Sequence, residues 1–154
     1  MLGNISPSTI LAKAKGIDIK KAGSGNAGTT NALRVLGGKA AAITLFIDIG
    51  KGFLAVFLAG MFLNPMQVSF CALAVFLGHV WPVLIKFKGG KGVATAFGAI
   101  LALNWQLALI CLGIVALVVI VTRMVSLGSV TAALAFPFLA YFMEKEFLPA
   151  GVCM

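Results

Sequence analysis

The stretch from Ala40 to Leu63 reads AAAITLFIDIGKGFLAVFLAGMFL, and only Asp48 and Lys51 interrupt its apolar run. About 20 apolar residues in a row, each rising 1.5 Å in a helix, cover the hydrocarbon core of a bilayer, so this segment has the length of a membrane span. Asn64 and Pro65 end it. The same character continues downstream. Met66 to Ile85 is a second apolar run with His79 and Pro82 near its far end, and a last run, Val125 to Met143, stops at the acidic patch Glu144, Lys145 and Glu146. Between them, Val93–Val121 is broken at Asn104, Trp105 and Gln106 into a short piece and a longer one. The short piece is too short to cross straight, so it reads as a short or re-entrant segment beside a full span.

Composition carries the same message over the whole chain. Of 154 residues, 61% are hydrophobic and 10% charged, with a mean hydropathy of +1.10, whereas soluble domains are about a quarter charged. Helices apolar on nearly every face need lipid around them. The expected fold is therefore an all-α polytopic membrane protein, a helical bundle of about five membrane segments preceded by a partial N-terminal helix. One integral-membrane domain covers residues 1–154: a helix remnant and loop at 1–39, then segments 40–63, 66–85, 92–103, 106–122 and 125–143. The opening MLGNISPSTILAKAK has neither the basic start nor the long apolar core of a cleaved signal.

The net charge of +8 belongs to no soluble basic domain, so nucleic acid is set aside as a partner. Cys71, Cys111 and Cys153 are isolated and the chain has one histidine, too few ligands for zinc or haem, and no metal or cofactor is expected. The cations instead alternate with the spans. Lys13, Lys15, Lys20, Lys21, Arg34 and Lys39 precede the first long span, the Asn64–Met66 turn has none, and Lys86, Lys88 and Lys91 follow the second span. The Asn104–Gln106 turn is uncharged and Arg123 returns to the basic side. Because basic loops face the cytoplasm, Val93–Val121 must cross twice as a hairpin, and three loops share the cytoplasmic face: 13–39, 86–92 and 122–129.

Those loops hold the unusual local sequences. Gly23–Arg34 reads GSGNAGTTNALR. Its glycines allow backbone N–H groups to approach an anion, Ser24, Asn26, Thr29, Thr30 and Asn31 add neutral partners, and Arg34 adds a forked cation. A flexible linker is the plain alternative, but the segment leads straight into a helical turn whose N–H groups would face an anion. Phe87–Thr95 reads FKGGKGVAT, with Lys91 between glycines at a helix start. It is not a Walker A loop, since Gly92 follows the lysine where Ser or Thr is required. A phosphate-holding helix start and a basic turn that only sets topology both remain open. Thr122–Val130, TRMVSLGSV, offers Arg123 with Ser126 and Ser129 on one side of a helical turn, although serines also satisfy nearby carbonyls.

Within the membrane, Asp48 and Lys51 are spaced i, i+3, close enough to pair, and such groups are costly unless they serve each other or a site. His79 lies a few residues from the cytoplasmic end of its span, as a packed hydrogen-bonding residue or a proton acceptor. Cations, hydroxyls and glycine backbones with almost no acid, set over a lipid-filled bundle, point to a phosphorylated ligand that meets acyl chains.

Taken in order, GSGNAGTTNALR, IDIGKG (Ile47–Gly52), GHVWPVLIKFKGGKGVAT (Gly78–Thr95) and TRMVSLGSV resemble the bacterial acyl-phosphate:glycerol-3-phosphate acyltransferases, the PlsY family, over nearly the whole chain. The resemblance implies a multi-pass inner-membrane enzyme with its active face cytoplasmic, which moves a fatty acyl group from a long-chain acyl phosphate to glycerol 3-phosphate and releases phosphate without cofactor or metal. On that basis Arg34, Lys91 and Ser126 are expected to hold glycerol phosphate. Ser24, Gly25, Asn26, Thr30 and Asn31 would cradle the acyl phosphate, although the two pockets could be exchanged. Gly89, Gly90, Gly92, Thr95 and Ser129 would line the phosphate site. His79 is the candidate proton acceptor, with a substrate phosphate oxygen as the alternative, and Asp48, Lys51 and Arg123 would support the site.

The chain departs from that family in three places. Family members carry a complete apolar span ahead of the first motif, where LGNISPSTILAK is a remnant, and they continue past the equivalent of Met154 to a further span and a tail with His, Asn and Arg. They also usually have Ala where Thr29 stands. A chain truncated at both ends is the expectation. The competing function is a transporter or channel for a phosphorylated anion, since broken helices with N-termini facing anions also bind transported substrates. The span pattern has no inverted repeat, and all three special loops share one face, which disfavours it.

Overall fold

A computed structural model describes residues 2–83, 87 and 89–147, with side chains described up to residue 143. Lys86, Lys88 and Cys153, and the side chains of Glu144, Lys145 and Glu146, lie outside the described residues. A 3-10 turn at Leu2–Asn4 precedes helices α1 (Pro7–Ala14), α2 (Thr29–Leu36), α3 (Gly38–Gly60), α4 (Pro65–Val80), α5 (Val93–Leu103), α6 (Trp105–Thr122) and α7 (Val125–Phe147). The chain divides into two compact units, one ending at Leu103 and one beginning at Asn104.

Local chemistry accounts for the helix boundaries. Pro7 and Pro65 sit in the first turns of α1 and α4, where a missing N–H costs nothing. Asn64 closes a capping box on α4: its side-chain oxygen accepts from the Gln67 N–H at 2.9 Å, and the Gln67 side chain accepts from the Asn64 N–H at 3.2 Å. The expected second span ends as a helix at Val80, because Pro82 brings no N–H to continue the ladder and pushes Trp81 to φ −120°. Gly37, at φ 88°, breaks the chain between α2 and α3 in a conformation that a side chain would resist. The expected break in Val93–Val121 falls at Asn104, whose side-chain oxygen caps α6 by accepting from the Leu107 N–H at 3.0 Å.

In the first unit, α3 packs against α2, α4 and most extensively against α5. The α3–α5 contact is backbone to backbone. A Cβ at Gly52 would strike the Thr95 carbonyl, and one at Gly98 would strike the Ile49 carbonyl. Small residues allow this approach where lipid supplies no hydrophobic drive between helices. Val56, Val68, Val75 and Ala99 fill the core around it, while Ala12, Ile19, Ala32, Leu36, Ala40 and Ala41 form a second core beneath α1 and α2. The outward face is the reverse of a soluble protein: Phe46 is 74% and Phe62 82% exposed.

The second unit is α6 packed on α7. Its turn is tight. Arg123 takes a left-handed conformation (φ 56°) and its N–H closes α6 on the Val119 carbonyl at 2.7 Å. A side chain at Gly128 would press on the Val115 carbonyl, so the two helices meet closely there. Among the described residues, three helices are long and apolar enough to cross a membrane: Gly38–Gly60, Trp105–Thr122 and Val125–Met143, with Pro65–Val80 and Val93–Leu103 as shorter apolar helices. The architecture is all-helical and multi-pass.

Candidate functional site

The loop ahead of α2 owes its shape to Asn31. This side chain is 1% exposed, and its oxygen accepts from the Ser24 N–H at 2.8 Å while its amide donates to the carbonyls of Ile19 (3.3 Å) and Ala22 (3.1 Å). Expected as a phosphate ligand, Asn31 is spent on bracing the loop. Gly23 and Gly25 take φ 60° and 69°, and a Cβ at Gly23 would collide with the Asn31 oxygen. From below, the buried Ser8 hydroxyl donates to the Ala27 carbonyl at 2.8 Å.

The loop delivers its polar groups to the start of α2. Gly28 caps that helix with no side-chain bond to its N–H groups. Beside it, the side-chain oxygens of Asn26 and Thr29 are buried and have no hydrogen-bond partner among the described residues. Unpaired buried oxygens are costly, so a helix start carrying two of them is suited to a ligand that bonds them. Ser24, Thr30 and Arg34 are exposed around this point.

The second glycine-rich loop lies against the first. The Lys20 ammonium donates to the Gly89 carbonyl at 2.9 Å, and a Cβ at Gly90 would sit 3.3 Å from the Ala27 carbonyl. Gly90 N–H donates to the His79 carbonyl at 3.3 Å. Gly92, at φ 76°, turns the chain into α5 against the Phe76 ring, leaving Lys91 exposed at the helix start. Lys20, Ser8 and the Ile5 carbonyl described next were not among the residues singled out by sequence. Lys20 reads there as one topology charge among several, and a backbone carbonyl has no sequence signal.

Beneath the loops is a buried polar cluster. Lys51 pairs with Asp48 at 2.7 Å, their side chains 3% and 2% exposed, and its ammonium also reaches His79 Nδ1 at 2.7 Å and the Ile5 carbonyl at 2.6 Å. The Thr95 hydroxyl lies 3.1 Å from the same Nδ1, and the Asp48 carboxylate 3.4 Å from it. Thr95 comes from the first turn of α5 and His79 from the last turn of α4, so the cluster joins α3, α4 and α5 directly under Gly90.

In the first unit, then, the structure brings together the Gly23–Arg34 segment, the Gly89–Gly92 loop, His79, Asp48, Lys51 and Thr95. Arg123, Ser126 and Ser129 belong to the second unit. There the Ser129 hydroxyl donates to the Ser126 carbonyl at 2.9 Å, a bond within one turn of α7, and Arg123 is exposed at the α6 C-terminus.

A family model described as glycerol-3-phosphate acyltransferase matches residues 1–154. The chain is 42% identical over 155 aligned residues to the glycerol-3-phosphate acyltransferase of Prochlorococcus marinus strain MIT 9211, covering 98% of this chain and 75% of that one. It is 45% identical over 147 residues to the corresponding protein of Geotalea daltonii, covering 95% and 76%. Among solved structures it is similar to the integral membrane glycerol 3-phosphate acyltransferase PlsY in its glycerol 3-phosphate form, with TM-score 0.85 and 38% identity over 97% of this chain and 74% of that chain. The lysophosphatidic acid form of PlsY gives TM-score 0.82 at 40% identity over 93% and 71%.

Proposed function

The chain belongs to the glycerol-3-phosphate acyltransferase family, and we propose that it transfers the acyl group of a long-chain acyl phosphate to glycerol 3-phosphate at the cytoplasmic face of a bacterial inner membrane. It is a multi-pass membrane acyltransferase of phospholipid synthesis. The finer assignment rests on chemistry. Both substrates carry phosphate, the donor carries an apolar chain that lipid accommodates, and the product, lysophosphatidate, stays in the bilayer.

The observation that carries this reading is the meeting of two glycine-rich loops through Lys20 and Gly89, beside buried side-chain oxygens of Asn26 and Thr29 that have no partner among the described residues. An acyl phosphate is a mixed anhydride with a good leaving group, so the enzyme must mainly align the hydroxyl and neutralise charge. The glycerol hydroxyl attacks the acyl carbonyl carbon, an ester C–O bond forms, the bond from that carbon to the phosphate oxygen breaks, and inorganic phosphate leaves. Arg34 and Lys91 hold glycerol phosphate as cations. Ser24, Gly25, Asn26 and Thr30, with the α2 N–H groups, hold the acyl phosphate and stabilise the departing phosphate. Gly89, Gly90 and Gly92 let backbone N–H groups approach it. A phosphate oxygen of the substrate takes the hydroxyl proton, because His79 Nδ1 already faces the Lys51 ammonium.

Incubation of the purified chain in lipid nanodiscs with acyl phosphate and labelled glycerol 3-phosphate tests this. Lysophosphatidate forms, and Lys91→Ala and Arg34→Ala each abolish it without lowering membrane insertion. Unchanged turnover in both variants rejects the assignment of these cations. Uptake of glycerol 3-phosphate into vesicles without acyl transfer rejects the enzyme in favour of a transporter.

A further inference from the structure

We propose that His79 is a positioning residue: the Lys51 ammonium holds its Nδ1 as an acceptor, which puts the ring proton on Nε2 and braces the Gly89–Gly92 loop that carries Lys91. An ammonium has three protons to donate. Lys51 has three acceptors in reach, the Asp48 carboxylate at 2.7 Å, the Ile5 carbonyl at 2.6 Å and His79 Nδ1 at 2.7 Å. The first of these is an ion pair shut away from solvent, since the Lys51 and Asp48 side chains are 3% and 2% exposed, and the other two are hydrogen bonds. A proton on Nδ1 would set donor against donor at the 2.7 Å contact with the ammonium, which is closer than the Thr95 hydroxyl at 3.1 Å and the Asp48 carboxylate at 3.4 Å. A neutral imidazole has one donor nitrogen and one acceptor nitrogen, so with Nδ1 accepting, Nε2 carries the proton and the ring has no lone pair left to take one from a substrate.

The Nε2 edge is where the loop closes on the ring. A Cβ at Gly90 would collide with Nε2, and the Gly90 N–H bonds the His79 carbonyl at 3.3 Å. The ring is thus clamped between the α3 ion pair and the loop backbone. A ring turned by half a rotation would place the Cδ2–H against the ammonium and leave one of its protons without the Nδ1 acceptor. Asp48 and Lys51 act through His79 to set where Lys91 stands. The expected effect on turnover rests on the acyl-transfer reading, while the tautomer does not.

Two measurements on the full chain in nanodiscs test this. The chain has one histidine, so 15N labelling of histidine reports this ring alone. The expected spectrum shows an unprotonated Nδ1 and a protonated Nε2; the opposite tautomer, or two protonated nitrogens, overturns the proposal whatever the chain's activity. In the acyl-transfer assay, His79→Ala raises KM for glycerol 3-phosphate about tenfold or more. His79→Asn, whose oxygen can accept from Lys51 in place of Nδ1, recovers most of that loss. A general base would show the reverse: kcat reduced by about 100- to 10,000-fold in both variants with KM unchanged, and that result overturns the proposal. A wild-type chain with the expected spectrum and no acyl transfer refutes the function assigned above and leaves the tautomer standing.

Discussion

The Lys20 ammonium donates to the Gly89 carbonyl at 2.9 Å across 69 residues of sequence. This bond ties the loop before α2 to the loop before α5, and both carry the groups assigned to phosphate. A hydrogen bond from a charged group contributes about 1.5–3 kcal/mol. Lys20→Met therefore reduces kcat/KM for acyl transfer by about tenfold or more, with membrane insertion unchanged. The same substitution at Lys21, which is exposed, leaves kcat/KM within about twofold, as expected of a surface position. Equal losses at the two positions would show that only total positive charge matters.

Asn31 supplies a prediction about local order. Its three bonds hold the Ile19, Ala22 and Ser24 backbone, the one to Ile19 fully buried, and losing that buried bond leaves a main-chain group unsatisfied at about 1–3 kcal/mol. Asn31→Ala loosens residues 19–24, so the Ser24 amide exchanges with solvent at least about tenfold faster. Asn31→Asp keeps the acceptor for the Ser24 N–H but turns a carboxylate toward two carbonyls, and it loosens the same amides. Protection that survives both changes would contradict the bracing role.

How much was legible in the sequence differs by element. The long apolar helices were, because a run such as Ala40–Leu63 carries its apolar character in nearly every residue, and the breaks at Asn64–Pro65 and Asn104 are local capping chemistry. The Asp48–Lys51 pair was legible from i, i+3 spacing alone. That Lys51 also holds His79 was not, since their contact spans 28 residues and depends on how α3 and α4 pack. Asn31 shows the opposite limit. Its place in a glycine-rich loop reads as ligand chemistry, and only the fold reveals that its oxygen and amide are turned back onto the backbone. The end of α4 at Val80, ahead of the apolar run's end, follows from Pro82, which counts as apolar in a hydropathy reading yet stops a helix.

The glycine positions between α3 and α5 can be separated by substitution. Gly52→Ala and Gly98→Ala push a methyl group into a facing carbonyl on a neighbouring backbone, and neither backbone can yield without parting the helices. Overpacking of this kind costs about 1–3 kcal/mol. Gly50→Ala meets open space and gains helix propensity, about 0.5–1 kcal/mol. Thermal inactivation in detergent is therefore faster for the first two and not faster for the third. Because the Gly52 contact falls on the Thr95 carbonyl, Gly52→Ala also disturbs the His79 cluster and lowers acyl transfer in the surviving protein.

Thr29 gives the last and most economical test of the phosphate cradle. Its hydroxyl is buried and, among the described residues, unbonded, like the Asn26 oxygen beside it, at a helix start whose Gly28 cap contributes no side chain. An unpaired buried hydroxyl destabilises the free protein by about 1–3 kcal/mol, so Thr29→Ala should unfold no earlier than the parent chain on heating. The same hydroxyl lies where the acyl phosphate is assigned and is free to donate to a phosphate oxygen. Its removal therefore raises KM for acyl phosphate by about tenfold, the worth of one hydrogen bond to a charged acceptor, and leaves KM for glycerol 3-phosphate alone. If KM rises for glycerol 3-phosphate instead, the two phosphates are exchanged between the pockets. If stability falls and neither KM moves, the hydroxyl is part of the fold and the cradle must be sought elsewhere on the loop.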